Sequence, residues 1–203
     1  MALNFAVNNS LSAVTALPAS ISGGGLNLIS TQTASSSSTI SFTSGIDSTY
    51  KEYIFKFINV HPATSDASFT FNMSVDGGSN YNVTKTTTTP RAYHDEADSE
   101  AAIEYDGGQD LAQSTSFQGI SRFLGNGNDE CGSGTLHIFN PSSTTFVKHF
   151  IAEAGTYYSG DYIFHDFTAG YGNTTSAVNA VQFKMSSGNI DAGTIKMYGI
   201  KDS

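Results

Sequence analysis

Five histidines are the residues of this 203-residue chain best suited to proton transfer or metal binding. His94-Asp95 and His165-Asp166 each set a carboxylate beside an imidazole, the pairing an acid–base dyad needs, and 28 serines supply hydroxyl nucleophiles. Neighbours along a strand point to opposite faces, however, so adjacency in the chain does not aim the two groups at one substrate. Neither a Gly-x-Ser-x-Gly elbow nor a His-Glu-x-x-His pair is present. No catalytic residue is therefore assigned, and the chain is expected not to be an enzyme. His137, His149 and His165 would form a zinc site only if they converged across a sheet, and His137 and His149 fall in neighbouring expected strands. Two loops are rich in hard oxygen donors: Asn126, Asn128, Asp129 and Glu130 in one, Asp76 with Asn80 in the other. Calcium is the ion such donors would take, but neither loop has EF-hand spacing and turn chemistry accounts for both. The expectation is no cofactor and no bound metal.

Two further groups suit recognition rather than reaction. Tyr157, Tyr158, Tyr162 and Tyr171 flank glycines, where exposed rings could stack on sugars or anchor a protein interface. Asp95, Glu96, Asp98, Glu100 and Glu104, continued by Asp106 and Asp110, form an acidic run with no Lys or Arg inside it. Such a run is ordinarily a solvated face, and it could also dock Lys or Arg from another subunit.

The elements that must position these groups read almost entirely with period two. Tyr53, Phe55 and Phe57 share one face of a strand, as do Phe69, Phe71, Met73 and Val75 of another. The same alternation runs through Ile40–Phe42, Leu136–Ile138, Phe146–Ile151, Val181–Met185 and Ile195–Ile200. Turn clusters separate them, among them Asp76-Gly77-Gly78, Gly125-Asn-Gly-Asn128 and Ser187-Gly-Asn189. This spacing predicts an all-β fold, an antiparallel β-sandwich or jelly roll of about nine strands. Residues 94–113 read as a long excursion with one helical turn. Residues 1–38, rich in Ser and Asn and broken by Pro18 and Gly23-Gly24-Gly25, read as an extended N-terminal arm ahead of a sandwich domain over 39–203.

Composition narrows the partners. The 84 Ser, Thr, Gly and Asn stand against 18 acidic and 9 basic residues, and the net charge is −9. With two arginines, Arg91 and Arg122, the chain lacks the clustered cations that bind phosphate backbones, so no nucleic acid is expected. The same sign disfavours an anionic membrane surface, and no apolar run approaches the roughly 20 residues of a spanning helix. Met1-Ala-Leu-Asn-Phe5 has no basic n-region, so synthesis in a cytoplasm is expected.

Two stretches also carry a resemblance. Tyr50-Lys-Glu-Tyr53, His61-Pro62-Ala-Thr64-Ser-Asp66-Ala67 and Ser74-Val-Asp-Gly-Gly-Ser-Asn-Tyr81 form the first, and Ser187 to Ile200 form the second. With Phe139-Asn-Pro141 and Lys148-His149 between them, they resemble a β-sandwich family of structural proteins in the virions of tailed bacteriophages, marine ones in particular. The resemblance covers about residues 26 to 203. It implies a virion location and a non-enzymatic capsid decoration or cement subunit. Its partners would be other virion proteins, the major capsid protein first, and further copies of itself, a trimer being one arrangement. The alternative it implies is a tail-fibre or receptor-binding module that recognises a host surface glycan.

Overall fold

The computed structural model describes residues 25–201. They form an antiparallel β-sandwich of thirteen strands with no helix among the described residues: β1 (Leu26–Ser37), β2 (Ile40–Phe42), β3 (Glu52–Pro62), β4 (Ala67–Ser74), β5 (Lys85–Thr88), β6 (Pro90–Asp95), β7 (Ala101–Tyr105), β8 (Gln118–Leu124), β9 (Gly132–Phe139), β10 (Lys148–Tyr158), β11 (Tyr162–Gly172), β12 (Ala180–Met185) and β13 (Ile190–Ile200). The wider layer runs β1-β13-β3-β9-β10-β11, after which β5 and β6 pair with opposite ends of β11 and β7 lies outside β6. The narrower layer runs β8-β4-β12-β2. The layers meet at one end through the bridge Tyr158↔Leu124. At the other end two residues carry the chain from β1 in the wide layer to β2 in the narrow one.

Thirteen strands replace the nine or so expected, for identifiable reasons. Leu26–Ser37, counted with the arm in the sequence reading, is a twelve-residue strand that follows β13 from Leu26↔Ile200 to Ser37↔Ile190. The sandwich therefore begins at Leu26, and residues 1–24 of the expected arm lie outside the described residues. Residues 94–113 contain no helical turn: β6 and β7 form a hairpin whose connection is fastened by Asp95, which accepts from the amides of Ser99 and Glu100 at 2.8 Å each.

Alternation drives the core. Phe55 and Phe57 of β3 and Phe150 of β10 face Phe69 and Phe71 of β4 and Phe183 of β12, all at most 1% exposed. Phe183 touches Phe42, Phe55 and Phe69 with ring centroids 5.4 to 6.2 Å apart, and Phe71 meets Phe150 edge-on at 5.0 Å. Tyr53, on the same face of β3 as Phe55 and Phe57, is wholly buried, its hydroxyl accepting from the Asp47 amide at 2.9 Å. The Asp76-Gly77-Gly78 turn takes positive φ at both glycines, 72° and 90°, as its sequence requires.

Two buried cations close one end of this layer. Lys85 and Lys148 both stand opposite Gly172 of β11, one on each side, and both are 0% exposed. Lys85 Nζ donates to Asn72 Oδ1 at 2.6 Å and to the Val83 carbonyl at 2.9 Å. Lys148 Nζ donates to the carbonyls of Phe146 and Thr174. No carboxylate among the described residues pairs with either. Burial lowers both amines, that of Lys85 to about 7.

Two outcomes follow from this core. Phe183→Ala should lower the unfolding free energy by about 3–5 kcal/mol in denaturant titrations, since three rings lose their common neighbour. The folded Lys85 amine holds its proton less tightly than the unfolded one, near 10.4, so protonation costs the fold below pH 7 and that cost fades as pH rises. Stability should climb between about pH 7 and 10, and Lys85→Met should flatten the climb.

Candidate ligand-binding overhang

The narrow layer ends at β8, while the wide layer continues through β11, β6 and β7. The inward-facing side chains of that extension meet only the last residues of the narrow layer, Arg122 and Phe123 of β8, and no further strand among the described residues lies opposite them. They are Tyr162, Phe164 and Asp166 from β11, Arg91 and Tyr93 from β6 and Glu104 from β7, aligned by the registers Phe164↔Tyr93, Asp166↔Arg91 and Arg91↔Glu104. Tyr158 joins them from the last residue of β10.

The deep end of this overhang is charged. Arg122 of β8 is 0% exposed; its amide donates to Asp166 Oδ2 at 3.1 Å and its Nε to Asp166 Oδ1 at 3.2 Å. Its Nη1 lies 2.7 Å from Asp106 Oδ2, close but not aligned as a hydrogen bond, and its Nη2 has no partner. Arg91 donates from Nε to Glu104 Oε1 at 2.7 Å, and its Nη1 lies 3.4 Å from Asp106. Both arginines of the chain thus meet on Asp106. Burial drives the Asp166 carboxyl upward despite the pull of Arg122, whereas the two guanidinium groups outweigh burial at Asp106 and lower it.

The shallow end is aromatic. Tyr158 stacks on Phe164 with centroids 5.1 Å apart, Tyr93 meets Tyr162 and Phe164 edge-on near 6 Å, and the Arg91 guanidinium lies 4.9 Å from the Phe164 centroid. Glu100, from the β6–β7 connection, accepts from the Tyr162 hydroxyl at 2.7 Å and from that of Tyr93 at 3.4 Å. The bond to Glu100, followed by burial, pushes the Tyr162 phenol up to about 12. Together Arg91, Tyr93, Glu100, Tyr158, Gly160, Tyr162 and Phe164 line an open depression of about 360 Å3.

The candidate residues of the sequence reading divide here. Tyr158 and Tyr162 line the depression, and Glu100 and Glu104 lie within the overhang. Tyr157 faces outward, its hydroxyl donating to Asp161 at 3.2 Å, with burial first and that bond second raising it to about 12. Tyr171 stands at the far end of β11 beside His149, on a separate apolar depression of about 530 Å3. Asp95 fastens its own turn, Asp98 lies 3.1 Å from His94, and Glu96 is exposed. Within the run, Glu104 and Asp106 meet Arg91, and Asp106 also meets Arg122, while Asp95, Glu96, Asp98 and Glu100 form no ion pair with a Lys or Arg among the described residues.

The remaining chemical candidates are separated. His165 and Asp166 point to opposite faces, one to Glu153 at 2.9 Å and the other to Arg122. His137 bonds to Glu52 at 2.6 Å, and His149, on the same outward face, packs beside Tyr171. Asp76 accepts from Ser74, then from the side chain and amide of Asn80, which holds its carboxyl at about 2, and Glu130 folds back onto the Gly127 amide. Among the described residues no three His, Cys, Asp or Glu side chains are placed to hold a metal. Comparison of the chain with protein-family models, curated proteins and solved structures finds no match.

Tyr93, Phe164 and Arg91 escaped the sequence reading because only the β6–β11 register joins them. The alternation Tyr162-x-Phe164-x-Asp166 was the available signal, and Ile163, His165 and Phe167 on the other face masked it.

Removing Asp166 leaves Arg122 buried against a single, half-shared carboxylate. Asp166→Ala should cost about 3–5 kcal/mol in equilibrium unfolding, against less than 1 kcal/mol (roughly) for the exposed pair partner in Glu153→Ala.

Proposed function

We propose that this chain is a non-enzymatic structural subunit of a tailed-bacteriophage virion, a capsid decoration or cement protein that binds neighbouring virion proteins through its sheet surface and N-terminal segment. The observation that carries the reading is the outward face of the wide layer. One face of an antiparallel sheet that meets water is normally polar. Here Ile151, Ile163 and Phe167 are 50%, 51% and 41% exposed, and beside them on β7 Ile103 and Tyr105 are 84% and 57% exposed. The apolar patch over β10, β11 and β7 is interrupted by the bonded His165 and Glu153, while Lys56 and Lys196, which pair with no carboxylate among the described residues, lie beyond it on β3 and β13.

The unpaired edge of β7 adds to this support. It carries no Lys and no Pro, and its one charge, Glu104, is taken by Arg91, so little guards it against pairing with another subunit. The major capsid protein and further copies of this chain are the partners that fit the reading, and the sequence resemblance to phage virion sandwiches supports the same class. Reconstruction of the virion tests it: density for this sandwich on the head is expected, with Ile103→Asp and Phe167→Asp particles losing it, and density confined to the tail, or a virion without the protein, would overturn it.

A further inference from the structure

Independently of that reading, we infer that the overhang lined by Tyr93, Tyr158, Tyr162 and Phe164 is a binding site for a neutral sugar ring. The volume, about 360 Å3, lies within the roughly 300–1,000 Å3 of small-ligand sites and is open to solvent. The lining is amphipathic in the way a pyranose is. Aromatic faces suit its axial C–H groups, and a carboxylate on the rim suits its hydroxyls.

Charge selects among ligands. Glu100 lines the depression, and Arg91, its one lining cation, is already held by Glu104 and approached by Asp106. An anionic ligand would have to displace those carboxylates from Arg91. A cationic ligand would compete for aromatic faces that Arg91 already covers, at 4.9 Å from Phe164 and 5.7 Å from Tyr93. An uncharged polyol ring neither displaces a carboxylate from Arg91 nor meets its charge, and it stacks on Tyr158 and Tyr162, which Arg91 leaves open, rather than on Phe164, which is 6% exposed.

Glu100 supplies the polar contact. Its carboxylate has about four acceptor sites, and the hydroxyls of Tyr93 and Tyr162 occupy two. The others face outward, since Glu100 is exposed, and can accept from adjacent hydroxyls of one sugar. The two tyrosine bonds fix the carboxylate before any ligand arrives, which limits the ordering entropy of binding.

The test is a glycan array probed with the full-length protein. It carries oligosaccharides ending in neutral hexose or N-acetylhexosamine, sialylated oligosaccharides, and glycans bearing phosphocholine. Binding confined to the neutral set is expected, with Tyr158→Ala and Tyr162→Ala each weakening it at least about tenfold, the equivalent of about 1.4 kcal/mol. Glu100→Ala alters an exposed side chain, so the fold survives and the polar contact is tested alone; a loss of about tenfold is expected there too. Tyr198→Ala, on β13 at a distance, should bind as the parent does. With no Trp in the chain, tyrosine emission gives a second readout of the same titration. No binding to the neutral set, binding only to sialylated or phosphocholine glycans, or neutral binding that survives both Glu100→Ala and Tyr162→Ala would each overturn the assignment.

Discussion

A sandwich stands on the layer between its sheets, and here a single ring holds that layer together. Phe183 touches Phe42, Phe55 and Phe69, so it contacts its own neighbour in the narrow sheet, the strand beyond it and a strand of the opposing sheet at once. Aromatic rings fill a broad gap with few rotatable bonds, which suits a chain that can spare only alternate residues for its interior. β1 to β4, β8 to β10, β12 and β13 all place residues in this core, and the rest of the fold is arranged around where it stops.

Where it stops, polar groups take over, and the two ends differ. Near Gly172 the last positions inside are lysines whose amines bond to carbonyls and an amide, and burial favours their neutral forms. Past β8 the interior gives way to Arg122, Arg91, Asp106 and Asp166, then to an aromatic depression facing solvent. The charged cluster is poorly optimised as a source of stability, since Arg122 Nη2 bonds to nothing. Its evident effect is positional: it fixes β8 against β11 and holds the loop of Asp106, and so sets the back wall of the depression.

Much of the sandwich was legible from alternation. β2, β4, β9 and β12 place apolar residues at every second position with mostly polar ones between, and β3, β10 and β13 keep that alternation over part of their length, so the period identifies the strand and much of its inward face. β1 was hidden because Thr31, Thr33, Ser35 and Ser37 give an edge strand no apolar contrast, and it was read as part of an arm. β7 was hidden inside the acidic run, whose Glu104 and Asp106 belong to Arg91 of β6 and Arg122 of β8. The tyrosines at 158 and 162 could be suspected because Gly160 lies between them, but which of the four tyrosines share a site depended on strand register. Tyr157 and Tyr158 are neighbours in sequence and point to opposite faces.

The pairing of β1 with β13 has a temporal side. The strand that opens the sandwich lies against the one that closes it, Leu26 against Ile200, and β3 too takes β13 as one of its two neighbours. As the chain is synthesised, β1 and one edge of β3 have no partner until the final strand leaves the ribosome. Residues 38–189, 152 of them, separate β1 from the strand it needs. Such long-range pairing slows folding and leaves apolar strand edges open meanwhile. The Ser- and Thr-rich β1 offers a wrong partner little apolar side-chain surface while it waits, but with no charge and no Pro its edge is as open to pairing as that of β7.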